Sequence, residues 1–318
     1  MQIFDAAATL APLGFDRLVP ALHAAFAGQT IVPPRHVHQV NAGTDAGTVL
    51  IMPAWSEEFL GIKTVNIFPG NSARGLPGLH ANYLLYDAHT GVPLALMDGD
   101  EITSRRTAAA AALGASFLAR HDARRLLVLG SGRVARLTPA AMRQVRPSID
   151  EVMVWNHRPE GAQRLAAAWR AEGINAHAVD NLQEAVRRAD IVSCATLSNA
   201  PLVQGAWLAP GSHLDLIGSF TPQMREADPS CFGGGARTFV DTDEALKKSG
   251  DLLDAIAAGH LREDAVQATL AQLCKGERNG RASATERTVF KAVGNALEDL
   301  AAATLVWQAA RAKNAGAT

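Results

Sequence analysis

The sequence is poor in the features that mark several large protein classes. Its 318 residues carry a formal net charge of −1 and no basic block, which argues against nucleic acid as a partner. No apolar stretch approaches the roughly 18 residues that span a bilayer. Met1-Gln2-Ile3-Phe4-Asp5 lacks the basic n-region of a secretory leader. No membrane partner is therefore expected, and a cytoplasmic location is. Cysteine is scarce: Cys194, Cys231 and Cys274 stand far apart and form no C-x-x-C. They predict neither a disulfide framework nor a zinc site, and they suit a reducing compartment. His36-x-His38 has metal-ligand spacing, but no third ligand follows and H-E-x-x-H is absent, so no metal is expected. The absence of a Gly-x-Ser-x-Gly elbow after a strand argues against a serine hydrolase. No repeat at solenoid spacing is present.

What is there begins with Leu126-Leu127-Val128-Leu129-Gly130-Ser131-Gly132-Arg133-Val134-Ala135. A short apolar run stops at a Gly-x-Gly-x-x-Ala turn, and a helical pattern starts at once. A buried strand, a tight glycine turn and a helix N-terminus with free N–H groups together bind a pyrophosphate. Gly130 makes the turn, Gly132 lets the backbone approach the phosphates, and Ala135 lets the helix pack on the strand. Ser131, Arg133 and Val134 complete the segment. The next apolar run, Glu151–Trp155, ends at Asn156-His157-Arg158. An NAD-preferring site usually places a carboxylate there for the ribose 2′-hydroxyl. None is present, and Arg158 can pair with a 2′-phosphate. The expected cofactor is therefore NADPH, with NADH as the alternative. The plainer reading is a polar helix start.

Length and a 48% hydrophobic content suit two domains. Residues 16–27 read as a helix. Val49–Trp55 and Phe59–Phe68 read as strands, and Ala81–Ala88 with Val92–Met97 as a hairpin turning at His89-Thr90-Gly91. Glu101–Ala119 reads as a long alanine-rich helix, with Asp98 and Asp100 near the positive end of its dipole. From residue 124 strands and helices alternate. The strands are Leu126–Leu129, Val152–Trp155, Ala176–Val179, Ile191–Ala195, His213–Ile217 and Thr238–Val240. The helices include Val134–Gln144, Ala162–Ala171 and Leu182–Ala189. This predicts an α/β fold with a Rossmann-type, doubly wound parallel sheet over 121–284. An α+β domain is expected from 1–120 with 285–318, the tail from Thr285 to about Lys313 reading as one helix. Thr196 and Gly218-Ser219 follow two of the strands and are expected beside the cofactor.

The first domain offers cations. Lys63 sits inside the apolar run Gly61-Ile62-Lys63-Thr64-Val65-Asn66, where burial is costly without an anionic partner. Arg35 follows Pro33-Pro34, and Arg106 lies one turn into the alanine-rich helix beside Arg105. Together, Arg35, Lys63 and Arg106 can hold a small carboxylate. Separately, Lys63 can snorkel from an edge strand, and Arg105 or Arg106 can pair with Asp98 or Glu101.

The chain resembles the ornithine cyclodeaminase/mu-crystallin family along nearly its whole length. The resemblance rests on Gly61-Ile62-Lys63, Leu94–Gly99, Thr103-Ser104-Arg105-Arg106-Thr107-Ala108-Ala109, the Gly130 turn, Val240-Asp241 and Val293–Leu300. It implies a homodimer whose dimerisation and substrate domain is built from both chain ends. It also implies that Arg35, Lys63 and Arg106 bind the carboxylate of an amino or imino acid. Arg106 takes this role rather than Arg105 because it directly precedes Thr107-Ala108. Where the family's cyclodeaminases carry an aspartate, this chain has Phe220 in Gly218-Ser219-Phe220-Thr221-Pro222-Gln223-Met224-Arg225-Glu226. An apolar ring cannot hold a diamine. The run is similar to that of the reductases of the cyclic ketimines Δ1-pyrroline-2-carboxylate and Δ1-piperideine-2-carboxylate. Arg133-Val134 departs from a commoner Val-Gln in the turn.

The expected activity is reduction of such a small cyclic imino acid to L-proline or L-pipecolate. Arg35 and Arg106 clamp the carboxylate, and Lys63 either supplies the imine proton or only adds positive charge. His80, Asn82, Phe220 and Thr221 are expected to line the substrate pocket, with Ser219 and Thr221 contacting cofactor or substrate. The alternatives are an ornithine cyclodeaminase, an amino-acid dehydrogenase and a non-catalytic NADPH-binding protein.

Overall fold

The computed structural model describes residues 1–315. The chain divides into two compact units, Met1–Arg106 with the chain from Asn295 onward, and Thr107–Gly294.

The first unit holds β1 (Gln2–Phe4), α1 (Ala6–Leu10), α2 (Phe15–Ala27), β2 (His36–Val40), β3 (Gly47–Trp55), β4 (Phe59–Ile67), β5 (Leu79–Asp87), β6 (Pro93–Asp98) and the first turns of α3 (Gly99–Leu118). Its six strands run in the order β1-β6-β5-β4-β3-β2, antiparallel except for β1 on β6. The β5–β6 hairpin turns where predicted. Asp87 accepts the backbone N–H groups of His89 and Thr90, and Gly91 takes the positive φ (+70°) that an L side chain avoids. Strand alternation buries one face of this sheet. Met52, Lys63, Tyr83 and Met97 form one row across four strands, all buried. The other face, with Ile51, Ile62, Leu84 and Leu96, is half-buried.

The second unit alternates β7 (Arg125–Leu129), α4 (Arg133–Val145), β8 (Glu151–Trp155), α5 (Pro159–Ala171), β9 (Ala176–Ala178), α6 (Leu182–Arg188), β10 (Ile191–Cys194), β11 (His213–Leu216) and β12 (Arg237–Val240). Then come α7 (Ala245–Lys248), α8 (Gly250–Ala257), α9 (Leu270–Cys274) and β13 (Thr288–Lys291). The seven strands are parallel in the order β12-β13-β11-β10-β7-β8-β9. This is the doubly wound Rossmann-type sheet, and strand order reverses between β7 and β10. Leu126–Leu129 are fully buried, as strands covered on both faces require.

The tail corrects the sequence reading. Residues 285–313 are not one helix: β13 sits inside the parallel sheet, Gly294 (φ +80°) breaks the chain, and α10 (Ala296–Ala315) follows in the first unit. A four-residue apolar run cannot be told from a helix turn by periodicity alone. The boundaries of the two compact units fall at 106/107 and 294/295. α10 packs on α2 and on the buried face of β3, β4 and β5.

Candidate active site

In the second unit, Gly130 leaves β7 at φ +107°, and a Cβ there would stand 2.6 Å from the Ala195 carbonyl oxygen. This position requires glycine on both counts. At Gly132, the N-cap of α4, a Cβ would meet no heavy atom within 4 Å. That space is open to a ligand at the helix start, where the first N–H groups have no intrahelical acceptor. Ala135 is fully buried, as close packing of α4 requires. Gly130, Ser131 and Gly132 line a cavity of about 530 Å³ with Asn156, His157, Arg158 and Thr196. Arg133 and Val134 open α4 and do not line it.

The cavity also recruits residues that the sequence reading did not single out. Arg164, on α5, joins Arg158 at its wall, and neither guanidinium is ion-paired among the described residues. Gly161 lies where a Cβ would press within 2.7 Å of Ser131 Oγ and Asn156 Nδ2. Leu197 and Ser198 extend the Thr196 wall. A glycine following the polar Asn156–Arg158 stretch was the available signal for Gly161; nothing marked Arg164. A glycine cradle at a helix N-terminus, with cations along one wall, fits a dinucleotide phosphate chain.

The loop after β11 is held from inside the unit. Glu226 Oε2 accepts Gly218 N–H at 2.9 Å and Ser219 N–H at 3.1 Å. Phe220 is half-buried and leans on the core around β10 and β11; Thr221 gives its carbonyl to Met224 and Gly250. Neither lines the cavity.

In the first unit the structure brings Lys63 and Arg106 together. Alternation on β4 turns Lys63 inward, where it is only 1% exposed. Its Nζ donates to Asp299 Oδ1 at 2.8 Å. Arg106 Nε donates to the same Asp299 oxygen at 3.0 Å, and Nη1 to Glu298 Oε2 at 2.6 Å. Arg106 thus pairs with neither Asp98 nor Glu101. Asp98 caps α3 by accepting Asp100 and Glu101 N–H, while Arg105 turns to Glu101 and the Leu13 carbonyl. Burial draws the Lys63 pKa from 10.5 down to about 8; Asp299 opposes this shift and Arg106 adds to it. Tyr83, beside Lys63, explains the glycine two residues earlier: its Oη fills the space that a Gly61 side chain would need. Burial, then the Asp299 charge, pushes the Tyr83 phenol upward.

Two expected pocket residues lie on the other face of the sheet. His80 and Asn82 pair with Asn66 and Thr64, on the opposite face of the sheet from Lys63, because strand neighbours alternate. Arg35 is half-buried and directly precedes β2; since His36 pairs with Ile51, Arg35 borders Met52, which pairs with Lys63. Glu298 and Asp299 were within reach of the sequence only as part of the Val293–Leu300 segment. Acids in a first helical turn usually read as dipole partners. Among the described residues no group of His, Cys, Asp and Glu forms a metal site, and no helix is long and apolar enough to cross a membrane.

Comparison with known proteins agrees with this architecture. The model of the ornithine cyclodeaminase/mu-crystallin family matches residues 9–314. An uncharacterized protein of Schizosaccharomyces pombe is 44% identical over 310 residues, 93% of each chain. A Δ1-pyrroline-2-carboxylate reductase of Paracoccus denitrificans is 40% identical over 290 residues, 90% of each chain. Among solved structures, the Thermococcus litoralis Δ1-pyrroline-2-carboxylate reductase with NADH and L-proline superposes with a TM-score of 0.92 at 31% identity, covering 99% of this chain and 98% of that one. An archaeal alanine dehydrogenase dimer with bound NAD gives 0.91 at 31% identity, covering 99% and 97%. With a glycine-turn cavity on a parallel sheet, a buried lysine–arginine–carboxylate cluster and these matches, the chain belongs to the ornithine cyclodeaminase/mu-crystallin family.

Proposed function

We propose that the protein reduces the C=N bond of a cyclic ketimine carboxylate, Δ1-pyrroline-2-carboxylate or Δ1-piperideine-2-carboxylate, to L-proline or L-pipecolate. NADPH is the preferred cofactor and NADH the weaker one. The observation that carries this reading is Lys63: a buried ammonium, held by Asp299, whose pKa is drawn to about 8. Imine reduction adds a hydride to carbon and a proton to nitrogen. A lysine poised near neutrality is suited to supply that proton. The names of the Paracoccus and Thermococcus relatives support the substrate class.

When bound, the reduced cofactor supplies the hydride. The backbone at Gly130, Ser131 and Gly132 holds the pyrophosphate, and Arg158 with Arg164 holds a ribose 2′-phosphate. Lys63 gives its proton to the imine nitrogen, and Asp299 stabilises the ammonium between turnovers. Arg106, with Arg35, binds the substrate carboxylate. The added negative charge explains a third cation, since Lys63 and Arg106 are already balanced by Asp299 and Glu298. Phe220, in place of an acid, favours a flat ring over a diamine.

The protein acts as a homodimer in the cytoplasm. The half-buried apolar face with Ile51, Ile62, Leu84 and Leu96 offers a second copy an extended surface. The archaeal alanine dehydrogenase is a dimer. Three free, buried cysteines suit a reducing compartment.

The test is the loss of NADPH absorbance on adding Δ1-pyrroline-2-carboxylate, with NADH, with pyruvate plus ammonia, and with L-ornithine plus NAD in parallel. Rapid oxidation with the ketimine, weaker with NADH, is expected. Ammonia release from ornithine would point to a cyclodeaminase. Dependence on keto acid and ammonia would point to an amino-acid dehydrogenase, and silence throughout to a binding protein.

A further inference from the structure

Beyond the residues assigned above, the second unit buries a chain of charges at the carboxyl ends of its central strands. Lys291, the last residue of β13, donates to Ser219 Oγ at 2.6 Å and lies 3.1 Å from Asp251 Oδ2 on α8. Ser219 Oγ also donates to Asp251 Oδ2. Asp251 Oδ1 accepts the backbone N–H groups of Glu226 and Ala227 at 2.7 and 3.0 Å. Glu226 thereby presents both carboxylate oxygens to two different loops. Oε1 accepts Thr196 N–H at 2.7 Å and Thr196 Oγ–H at 2.8 Å; Oε2 accepts the N–H groups of Gly218 and Ser219. Glu226, Asp251, Lys291 and Ser219 are fully buried.

We propose that Glu226 is a positioning residue for the nicotinamide half of the dinucleotide site, setting the loop after β10 against the loop after β11. The proposal rests on the dinucleotide reading of the Gly130 cavity. In a doubly wound sheet each half of the strand order holds one mononucleotide. Here β7, β8 and β9 carry the pyrophosphate turn and the Asn156–Arg158 end. The β10 and β11 ends, with Thr196 and Gly218–Ser219, fall to the other half. No other side chain is described as bonding both loops. The loops touch so closely that a Cβ on Gly218 would collide with the Thr196 backbone and with Glu226.

The chemistry calls for a carboxylate. All four partners of Glu226 are donors, so these bonds need the ionised carboxyl, which is acceptor-only and prevails above about pH 7. Glutamine has the same shape, but its amide nitrogen would face two of those donors whichever way it turned. Glu226→Gln should therefore let the loops part without removing volume.

The test is direct binding to the full-length protein at pH 8, where Glu226 is ionised, read by NADPH fluorescence and by calorimetry with 2′,5′-ADP, which carries only the adenosine half. For Glu226→Gln the expected result is an NADPH Kd raised about 10- to 100-fold, with 2′,5′-ADP changed less than about twofold. These losses correspond to about 1.4–2.8 kcal/mol. Equal loss of both ligands together with a lowered Tm, or no loss of either, would overturn the proposal. If Glu226→Gln does not fold, Thr196→Val decides. It removes one donor, so a loss confined to NADPH supports the proposal and an unchanged NADPH Kd overturns it. If the wild type binds neither ligand, the dinucleotide reading itself fails, and the proposal with it.

Discussion

Each unit buries one lysine on a strand, and the two are surrounded differently. Lys63 shares its site with a second cation: Lys63 and Arg106 face Asp299 and Glu298, two charges against two. Lys291 faces Asp251 directly, with Glu226 joined to the same network, one charge against two. In the balanced cluster, burial takes its toll on the cation, and the Lys63 pKa falls to about 8. In the acid-rich one it acts on the carboxyls. Burial pushes Glu226 up to about 7, with Lys291 opposing and Asp251 adding; burial also carries the neighbouring Asp215 to about 7. A buried lysine thus does not define a role. Its neighbours decide whether the unit holds a proton that can be given away or a frame that fixes loops.

The sharpest way to break this comparison is to remove the frame's cation. Lys291→Met leaves Asp251 buried without its countercharge. It should cost about 3–5 kcal/mol, read as a lowered urea midpoint. Gly61→Ala acts on the other cluster by driving a methyl into Tyr83 Oη, next to Lys63. Overpacking of this kind should cost about 1–3 kcal/mol of stability, measured by thermal unfolding. Arg158→Ala combined with Arg164→Ala should weaken NADPH about tenfold, or roughly 1.4 kcal/mol, and leave NADH nearly unchanged. Equal weakening of both cofactors would remove the 2′-phosphate from the account.

The smallest effect separates the units by pH. Folded Glu226 and Asp215 hold protons that the unfolded chain has released by about pH 4–5. Their contribution is full below those unfolded values and is lost as pH rises through about 7. Lys63 runs the other way. The unfolded lysine keeps its proton up to about 10.5 and the folded one only to about 8, so stability from this group grows between those values and is lost as pH falls through 8. Melting curves across pH 4–10, for wild type and Glu226→Gln, should show the variant flatter only on the acid side.

Much of this was legible from the residues. The glycine turn announced itself because Gly130 needs a positive φ and no room for a Cβ, and the flanking strand and helix were both apolar in the right period. Lys63 stood out as a lysine on the inward positions of a strand. Its partners did not: Asp299 lies 236 residues away and looks like an ordinary acid in a first helical turn. β13 was hidden because four buried residues followed by a helix share one apolar pattern, although Gly294 marked the break. His80 is expected in the pocket from its nearness to the first-domain strands, whereas the pairing of β4 with β5 sets it and Lys63 on opposite faces. Glu226 lies in a loop without periodicity, where only the fold shows that both of its oxygens are used.

The central claim is that Lys63 supplies the imine proton in a ketimine reductase. The most direct measurement compares wild type and Lys63→Met for NADPH oxidation on adding Δ1-pyrroline-2-carboxylate, with NADPH binding measured on the same samples. The account predicts rapid oxidation by the wild type, and a rate lowered about 10²- to 10⁴-fold in the variant with NADPH affinity unchanged. A Lys63→Met protein that oxidises NADPH as fast as the wild type would contradict it.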